Sequence, residues 1–257
     1  MKHNSLITGL GSAVALTVAL SITHGAAQAA DIRLLGAGAV KPVMDVLGPQ
    51  FERATGHKIV AKYGTGPEVL KWIEAGEGFD VAIANPPSID SLIKSGKIVS
   101  SSRVQVGRIG LGVGVRAGAQ KPTVVSSEDF RQTLLNSNSV AYIGAGASGP
   151  VFIGMLEKLG IGNEMKNKLR PAGVSENIAA VAKGEVDLLV MPIPLIMAAQ
   201  GVELAGAVPA EHQDYIVLIG GVATAAAQNS AAESLIKHLL SSDADAVFKA
   251  KGFEQKK

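Results

Sequence analysis

Apolar residues in the first half of the chain follow two spacings, one typical of strands and one typical of helices. Ile32, Leu34 and Leu35 suit a short buried strand. After a small-residue turn at residues 36–39, the apolar positions recur every three or four residues, as on one face of a helix: Val40, Val43, Met44, Leu47 and Phe51. Two similar units follow, with predicted strands at residues 58–62 and 81–83 and helices that begin near Pro67 and Ser88. This order predicts a parallel sheet with helices on both faces.

Glycine and proline mark several of the predicted element ends. Gly48 and Pro49 interrupt the first helical pattern, so we expect that helix to kink or split there. Gly76 and Gly96 follow the last apolar positions of the next two helices, where a glycine commonly ends a helix.

The second half of the chain repeats the order of strands and helices. Predicted strands lie at residues 140–143, near Leu169 and at residues 187–191. Long extended segments at residues 104–115 and 215–222 flank this half, and two short helices near Leu235 and Val247 close the chain. Two long strands are what a chain needs to cross from one lobe to a second and return.

We therefore expect an α/β protein with two doubly wound lobes joined by a two-strand hinge. Lobe 1 is predicted to comprise residues 30–107 and 220–257, and lobe 2 residues 108–219. The cleft between such lobes is a common site for small ligands, because strands end and helices begin there.

The turns between strand and helix are candidate anion-binding sites. Gly38 and Ala39 precede the first predicted helix, and Thr65 and Gly66 precede the second. The first N–H groups of a helix lack partners within it, and the helix dipole is positive at that end. A single glycine turn needs no ligand, so the argument depends on the recurrence of the arrangement at residues 144–150.

The first 29 residues resemble a cleavable signal peptide. A short basic start precedes a mostly apolar stretch, and Ala27, Gln28 and Ala29 fit the small-x-small cleavage pattern. A transmembrane anchor is the alternative, but no basic stop follows the apolar stretch. We expect a mature chain that begins at Ala30 and resides in the periplasm.

Composition narrows the function classes. The formal charge of +2 gives no reason to invoke nucleic acid, and the aromatic content of 4% argues against a stacking platform for bases or sugars. The chain has no cysteine, so it carries neither a disulfide nor a lipid-modified cysteine. His57, His212 and His238 show no metal-ligand spacing, and we expect no metal or cofactor.

Four stretches resemble one known family when they are taken in order. They are residues 73–76 (IEAG), 79–83 (FDVAI), 156–160 (LEKLG) and 247–253 (VFKAKGF). They are similar to the periplasmic solute-binding proteins of ABC importers, in the branch that contains molybdate- and tungstate-binding proteins. Over essentially the whole mature chain, this resemblance implies a type II periplasmic-binding-protein fold that closes on a small anion. It also implies an ABC permease as partner, and we expect a monomer.

The resemblance assigns ligand positions, and several of them depart from the molybdate pattern. It implies a ligand-binding set of Gly38, Ala39, Lys41, Thr65, Gly66, Ser148, Gly149, Val174 and Ser175. Ala39 stands where those proteins have a serine, and the tyrosine that closes the molybdate cage is replaced near Pro192. The loss of two hydroxyls disfavours a tetrahedral oxyanion. A lysine beside the first turn suits a carboxylate, so we predict that Lys41 meets a ligand carboxylate.

The same branch includes aconitate isomerase, so an enzyme is the second hypothesis. Moving a proton on a carbon between carboxylates needs a base and a held anion. Lys41, Glu68 and Glu176 are the ionisable residues nearest the predicted helix starts. Each also has a structural explanation, since acids are favourable in a first helical turn and Lys41 suits a solvated surface. The sequence leaves open the ligand, the base, and the choice between binder and isomerase.

Overall fold

A computed structural model gives the structure of the chain at Met1, residues 29–226 and residues 230–254. The predicted signal peptide therefore lies outside the described residues, apart from Met1 and Ala29. Within the described ranges no helix has the length and apolar character needed to cross a bilayer.

The first lobe is built on a six-stranded sheet with the order β11-β4-β10-β3-β1-β2. Its first elements are β1 (Asp31–Ala37), α1 (Lys41–Thr55), β2 (Lys58–Gly64), α2 (Gly66–Glu74), β3 (Val81–Ala84), α3 (Pro86–Lys94) and β4 (Val104–Ile109). The chain returns to this lobe with β10 (Ile216–Val222), α9 (Ser230–Leu239), α10 (Ser242–Ala250) and β11 (Phe253–Glu254). Strands β1, β2 and β3 are parallel as predicted, whereas β10 runs antiparallel to β3 and β4.

The second lobe has a five-stranded sheet with the order β7-β6-β8-β5-β9. Its elements are β5 (Leu111–Arg116), α4 (Ser127–Asn136), β6 (Val140–Ile143), α5 (Ser148–Lys158), α6 (Gly162–Met165), β7 (Leu169–Ala172), α7 (Val174–Ala182), β8 (Leu188–Pro192), α8 (Ile193–Met197) and β9 (Val202–Ala207). Alternate residues of β8 pack into two different hydrophobic cores. Leu188 and Val190 belong to one core, and Leu189 and Met191 belong to the other. Apolar side chains therefore cover both faces of this sheet, as the strand pattern predicts.

Two crossings join the lobes. The first passes through Gly110, between β4 and β5, and the second spans residues 208–215. Gln213 ties them together, because its side chain accepts from the Leu111 N–H at 2.8 Å and donates to the Leu111 carbonyl at 2.9 Å. Strand pairing places Ile216 and the residues after it in the first sheet, earlier than the division drawn from the sequence. The predicted two-lobe α/β architecture with a two-strand hinge is confirmed.

The structure departs from the predicted elements at several places. Helix α1 continues through Gly48 and Pro49, so the expected split at these residues is wrong. The predicted extended segment at residues 104–115 is two strands in different sheets. Helices α6 and α8 and strands β9 and β11 were not predicted, because they are short or rich in small residues and lack a clear period.

One ion pair fixes the start of the first sheet. The buried Asp80, 6% exposed, precedes β3 and accepts from the backbone N–H of Arg33 on β1 at 2.7 Å. Its carboxylate also accepts from Arg33 Nε and Nη2, both at 3.0 Å. Burial alone raises the pKa of Asp80, but the Arg33 hydrogen bonds and charge outweigh it, so the net pKa lies below its ordinary value.

We predict that Asp80→Asn destabilises the protein at neutral pH. The substitution leaves Arg33 without its charged acceptor and should lower the free energy of unfolding by about 1–3 kcal/mol. Because the folded-state pKa of Asp80 is depressed, its contribution is complete above the unfolded pKa of about 4 and is lost as pH falls through the folded value. Denaturant unfolding at several pH values should therefore show a difference from wild type that shrinks in acid.

A matched control is Asp90→Asn, which breaks the exposed pair between Asp90 and Arg103. Its effect should be much smaller, since solvent screens an exposed ion pair. Equal losses for the two variants, or a loss for Asp80→Asn that is independent of pH, would contradict the assignment.

Candidate functional site

A cavity of about 1020 Å³ lies between the two lobes, and both lobes line it. Its wall includes most of the ligand-binding and catalytic residues predicted from the sequence: Gly38, Ala39, Lys41, Thr65, Gly66, Glu68, Ser148, Val174, Ser175 and Glu176. Gly149 is not among the lining residues. A Cβ at Gly149 would lie 2.7 Å from the Ile143 carbonyl oxygen, so its lack of a side chain lets α5 start close against β6.

Helix starts converge on this cavity. The residues just before α2, α3, α5, α7 and α8 all line it: Thr65, Asn85, Ala147, Gly173 and Pro192. This follows from the topology, because parallel strands of each lobe end at the cleft and the next helix begins there. The first N–H groups of these helices and their dipoles make the cavity favourable for an anion.

At the start of α2 the carboxylate of Glu68 already accepts from one of these backbone N–H groups. The Glu68 side chain accepts from the Thr65 N–H at 2.6 Å, and the Thr65 hydroxyl accepts from the Glu68 N–H at 3.3 Å. The hydrogen bonds from the Thr65 backbone and side chain hold the pKa of Glu68 below its ordinary value. Glu68 is thus a weak base that caps its own helix.

Helix α7 has a related arrangement in the second lobe. The Glu176 carboxylate accepts from the Gly173 N–H at 3.0 Å. Ser175, one residue earlier, is exposed, lines the cavity and makes no side-chain hydrogen bond to any described residue. The two predicted acids therefore occupy equivalent places in the two lobes, each on the backbone N–H that precedes a helix.

Ser148 is the most enclosed hydroxyl of the site. It is 6% exposed, lines the cavity at the first residue of α5, and has no hydrogen-bond partner among the described residues. The Ser148 hydroxyl is therefore available to bind a polar group in the cavity.

The cations of the cavity differ in how they are paired. The ammonium of Lys41 contacts both oxygens of Asp45, one turn further along α1, at 2.9 and 2.8 Å. Both side chains are more than half exposed, at 54% and 57%. Lys71 also lines the cavity, and it forms no ion pair with any residue in the described part of the chain.

Sequence reasoning missed three polar side chains of the wall: Tyr63, Lys71 and Asn85. Burial, with a contribution from the negative charge of Asp45, raises the pKa of Tyr63 to about 12. Its phenol therefore stays protonated at physiological pH and can donate a hydrogen bond. Tyr63 and Asn85 were recognisable only as strand-end residues, and Lys71 only as a polar position on α2.

Part of the cavity wall is apolar. The first lobe contributes Ile109, Ile216 and Leu218 to this part of the wall, and the second lobe contributes Ile143 and Leu195. Ala39 presents a methyl group where the resemblance expects a serine hydroxyl. The arrangement can hold a negatively charged group at the helix starts while hydrocarbon packs against the apolar wall.

The two lobes approach each other closely at Gly146 and Thr65, which both line the cavity. A Cβ at Gly146 of the second lobe would lie 3.3 Å from the Cβ of Thr65 in the first.

Among the residues that the structure describes, no cluster of three or more histidines and acids could hold a metal ion. The candidate chemistry therefore comes from backbone N–H groups, hydroxyls, an amide, lysines and glutamates.

Several known proteins are similar to this chain in sequence and in fold. An aconitate isomerase from Pseudomonas sp. is 27% identical over 236 residues, which are 90% of each chain. The molybdate-binding protein ModA of Azotobacter vinelandii is 26% identical over 238 residues, which are 89% of this chain and 91% of that protein. The solved periplasmic molybdate-binding protein of Azotobacter vinelandii superposes with a TM-score of 0.74 at 21% identity, over 88% of this chain and 100% of that one.

The sequence profile of one family covers nearly all of the described chain. It is the family of bacterial extracellular solute-binding proteins, and it matches residues 32–254. This match includes both sheets, both crossings of the hinge and every residue that lines the cavity. The chain therefore belongs to the bacterial extracellular solute-binding proteins, and its fold is that of the type II periplasmic binding proteins.

Proposed function

We propose that this protein captures a small carboxylate-bearing anion in the periplasm and delivers it to an ABC importer. The signal peptide, the periplasmic location, the permease partner and the monomeric state belong to the same proposal. Family membership supports the solute-binding role. The choice of a carboxylate ligand depends on the chemistry of the cavity.

The observation that carries this choice is the pairing of an apolar wall with hydrogen-bond donors. An inorganic oxyanion such as molybdate has no hydrocarbon to pack against Ile143, Leu195 or Leu218. The volume of about 1020 Å³ lies just above the ~300–1000 Å³ typical of sites for organic ligands. An organic acid satisfies both parts of the wall, since its carboxylates bind at the helix starts and its carbon chain contacts the apolar side chains.

The energies allow Lys41 to leave Asp45 for a ligand. An exposed ion pair contributes about 0–1 kcal/mol, whereas a hydrogen bond to a charged group is worth about 1.5–3 kcal/mol. A ligand carboxylate in the cavity, shielded from water by the lobes, therefore competes successfully with Asp45. Thr65, Ser148 and Ser175 are the hydroxyls that we expect to complete the contacts around it.

The second candidate function is an aconitate isomerase, and the similarity to the Pseudomonas enzyme favours it specifically. In this alternative Glu176 is a better candidate base than Glu68. The Glu68 carboxylate accepts from the Thr65 N–H, and the backbone and hydroxyl of Thr65 together lower its pKa. The Glu176 carboxylate accepts from the N–H of Gly173, a residue without a hydroxyl. Lys41 would then hold the carboxylate beside the carbon that loses its proton.

We predict that tricarboxylates stabilise the protein more than tetrahedral oxyanions do. A thermal-shift screen would compare citrate, tricarballylate, trans-aconitate and cis-aconitate with molybdate, tungstate and sulfate. A ligand at a hundredfold excess over its dissociation constant adds about 2.7 kcal/mol, which raises Tm by about 5–10 °C for a chain of this size. Small-angle scattering should also show a smaller radius of gyration with the ligand. Stabilisation by molybdate and tungstate alone would show that the carboxylate assignment is wrong.

We predict opposite effects for the two members of the Lys41–Asp45 pair. Lys41→Met should weaken binding of the stabilising tricarboxylate by about ten- to a hundredfold, because it removes a charged donor. Asp45→Asn should strengthen binding by up to about fivefold, because it frees the ammonium of Lys41. Isothermal titration calorimetry measures both changes.

The control for this pair is Lys94→Met, which removes an exposed lysine that does not line the cavity. Its affinity should equal that of wild type. Lys41 would be a surface lysine without a ligand contact if Lys41→Met and Asp45→Asn also bind like wild type.

A turnover assay separates the binder from the isomerase. Proton NMR of trans-aconitate incubated with the purified protein should show no interconversion if the protein only binds. If cis-aconitate forms, Glu176→Gln should abolish turnover with binding retained, whereas Glu68→Gln should remain active. Retention of activity in Glu176→Gln and its loss in Glu68→Gln would reverse the assignment of the base.

A further inference from the structure

The side chain of Asn85 is held in an unusual way at the cavity wall. Asn85 stands at the N-cap of α3, and asparagine is among the preferred residues at that position because its side-chain oxygen usually accepts from the backbone of the first helical turn. Here the side chain makes no capping hydrogen bond. Its Oδ1 instead accepts from the Ser88 hydroxyl at 2.7 Å.

The sequence of α3 removes the need for a cap. Pro86 and Pro87 follow Asn85 directly and have no backbone N–H to satisfy. The next two donors, the N–H groups of Ser88 and Ile89, are taken by the Asn85 carbonyl at 3.1 and 3.2 Å. The helix start is therefore satisfied by the backbone, and the amide of Asn85 is free for another role.

Two neighbours fix the orientation of this amide. Ser88 is 4% exposed and holds Oδ1 from the side of the core. Gly66 packs directly against the same oxygen, and any Cβ at that position would overlap Asn85. With Oδ1 held in this way, the Nδ2 group has no partner among the described residues, and Asn85 lines the cavity.

We propose that Asn85 is a ligand-binding residue whose amide N–H groups donate to a carboxylate oxygen, in an orientation set by Ser88 and Gly66. This inference rests on the proposed function, since it takes the ligand to be a carboxylate-bearing anion. A neutral donor adds no charge to a cavity that already contains Lys41, Lys71, Glu68 and Glu176. The Asn85 amide therefore contributes selectivity by direction, because it binds an acceptor oxygen only at one place on the wall.

Three variants test the assignment by calorimetry with tricarballylate or citrate. Asn85→Ala should weaken binding by about three- to tenfold, the range expected for one neutral hydrogen bond. Asn85→Asp should weaken it further, because the carboxylate can still accept from Ser88 but presents negative charge to the ligand. Ser88→Ala should give a smaller loss than Asn85→Ala, because the amide remains but loses its fixed orientation.

Thermal unfolding of the unliganded variants separates ligand binding from a structural role. Because the backbone satisfies the start of α3, any fall in the Tm of Asn85→Ala should come from the buried Ser88 hydroxyl that it leaves unpaired. The double variant Asn85→Ala/Ser88→Ala removes that hydroxyl, so its Tm should lie within about 2 °C of wild type. Asn163→Ala, at an exposed asparagine of α6 outside the cavity, is the control for both measurements. The proposal is overturned if Asn85→Ala binds like wild type, or if its Tm falls by several degrees while affinity is unchanged.

The outcomes also separate this inference from the proposed function. If wild type binds a tricarboxylate and Asn85→Ala binds it equally well, only the role of Asn85 fails. If wild type binds molybdate and no tricarboxylate, the proposed function fails and the carboxylate contact of Asn85 fails with it.

Discussion

The first backbone N–H groups of a helix find no carbonyl acceptor within that helix, and this structure depends on how those donors are satisfied. Each lobe sends parallel strands toward the cleft, so several helices must begin there with such groups exposed to the cavity. The protein meets this requirement in different ways. Glu68 and Glu176 supply internal acceptors, Pro86 and Pro87 remove two donors, and the starts of α1 and α5 have no side-chain cap. Under the proposed function, the negative oxygens of a ligand accept from the N–H groups that the chain leaves without an acceptor.

The ion pair at the cavity wall is weak, so under the proposed function Lys41 can exchange Asp45 for a ligand at a small cost in free energy. A lysine at a helix start is unfavourable for the helix itself, because the dipole is positive there. Lys41 occupies such a position on α1 and is offset by Asp45, whose attraction is weakened by solvent. The pair between Arg33 and Asp80 differs in its acid, because the Asp80 side chain is 8% exposed whereas that of Asp45 is 57% exposed. Asp80 also accepts from the Arg33 backbone N–H, so this pair holds two strands together. Burial of the carboxylate thus separates an ion pair that fixes the fold from one that, under the proposed function, yields to a ligand.

The same site suits capture and proton transfer, and the difference between them is small in structural terms. Both need oriented donors around a carboxylate, an apolar wall for the carbon chain and lobes that close over the ligand. An isomerase needs in addition one base near a carbon atom. Both candidate carboxylates accept from one backbone N–H, but the Thr65 hydroxyl acts on Glu68 as well and helps to lower its pKa. Tyr63, protonated at physiological pH, offers a further donor to either function.

The sequence by itself determined the order of most strands and helices, the two lobes and the turns that lie at the cleft. Spacing of apolar residues gives strand and helix locally, and a hydroxyl or glycine at a strand end, such as Thr65 or Ser148, is visible without a structure. Tertiary structure decided which of these residues line the cavity. Gly149 packs behind the wall, and the Asn85 side chain makes no capping hydrogen bond to its helix. Ile143 and Leu218 line the same cavity from different sheets. These placements depend on contacts between segments far apart in the chain, and local spacing carries no information about such contacts.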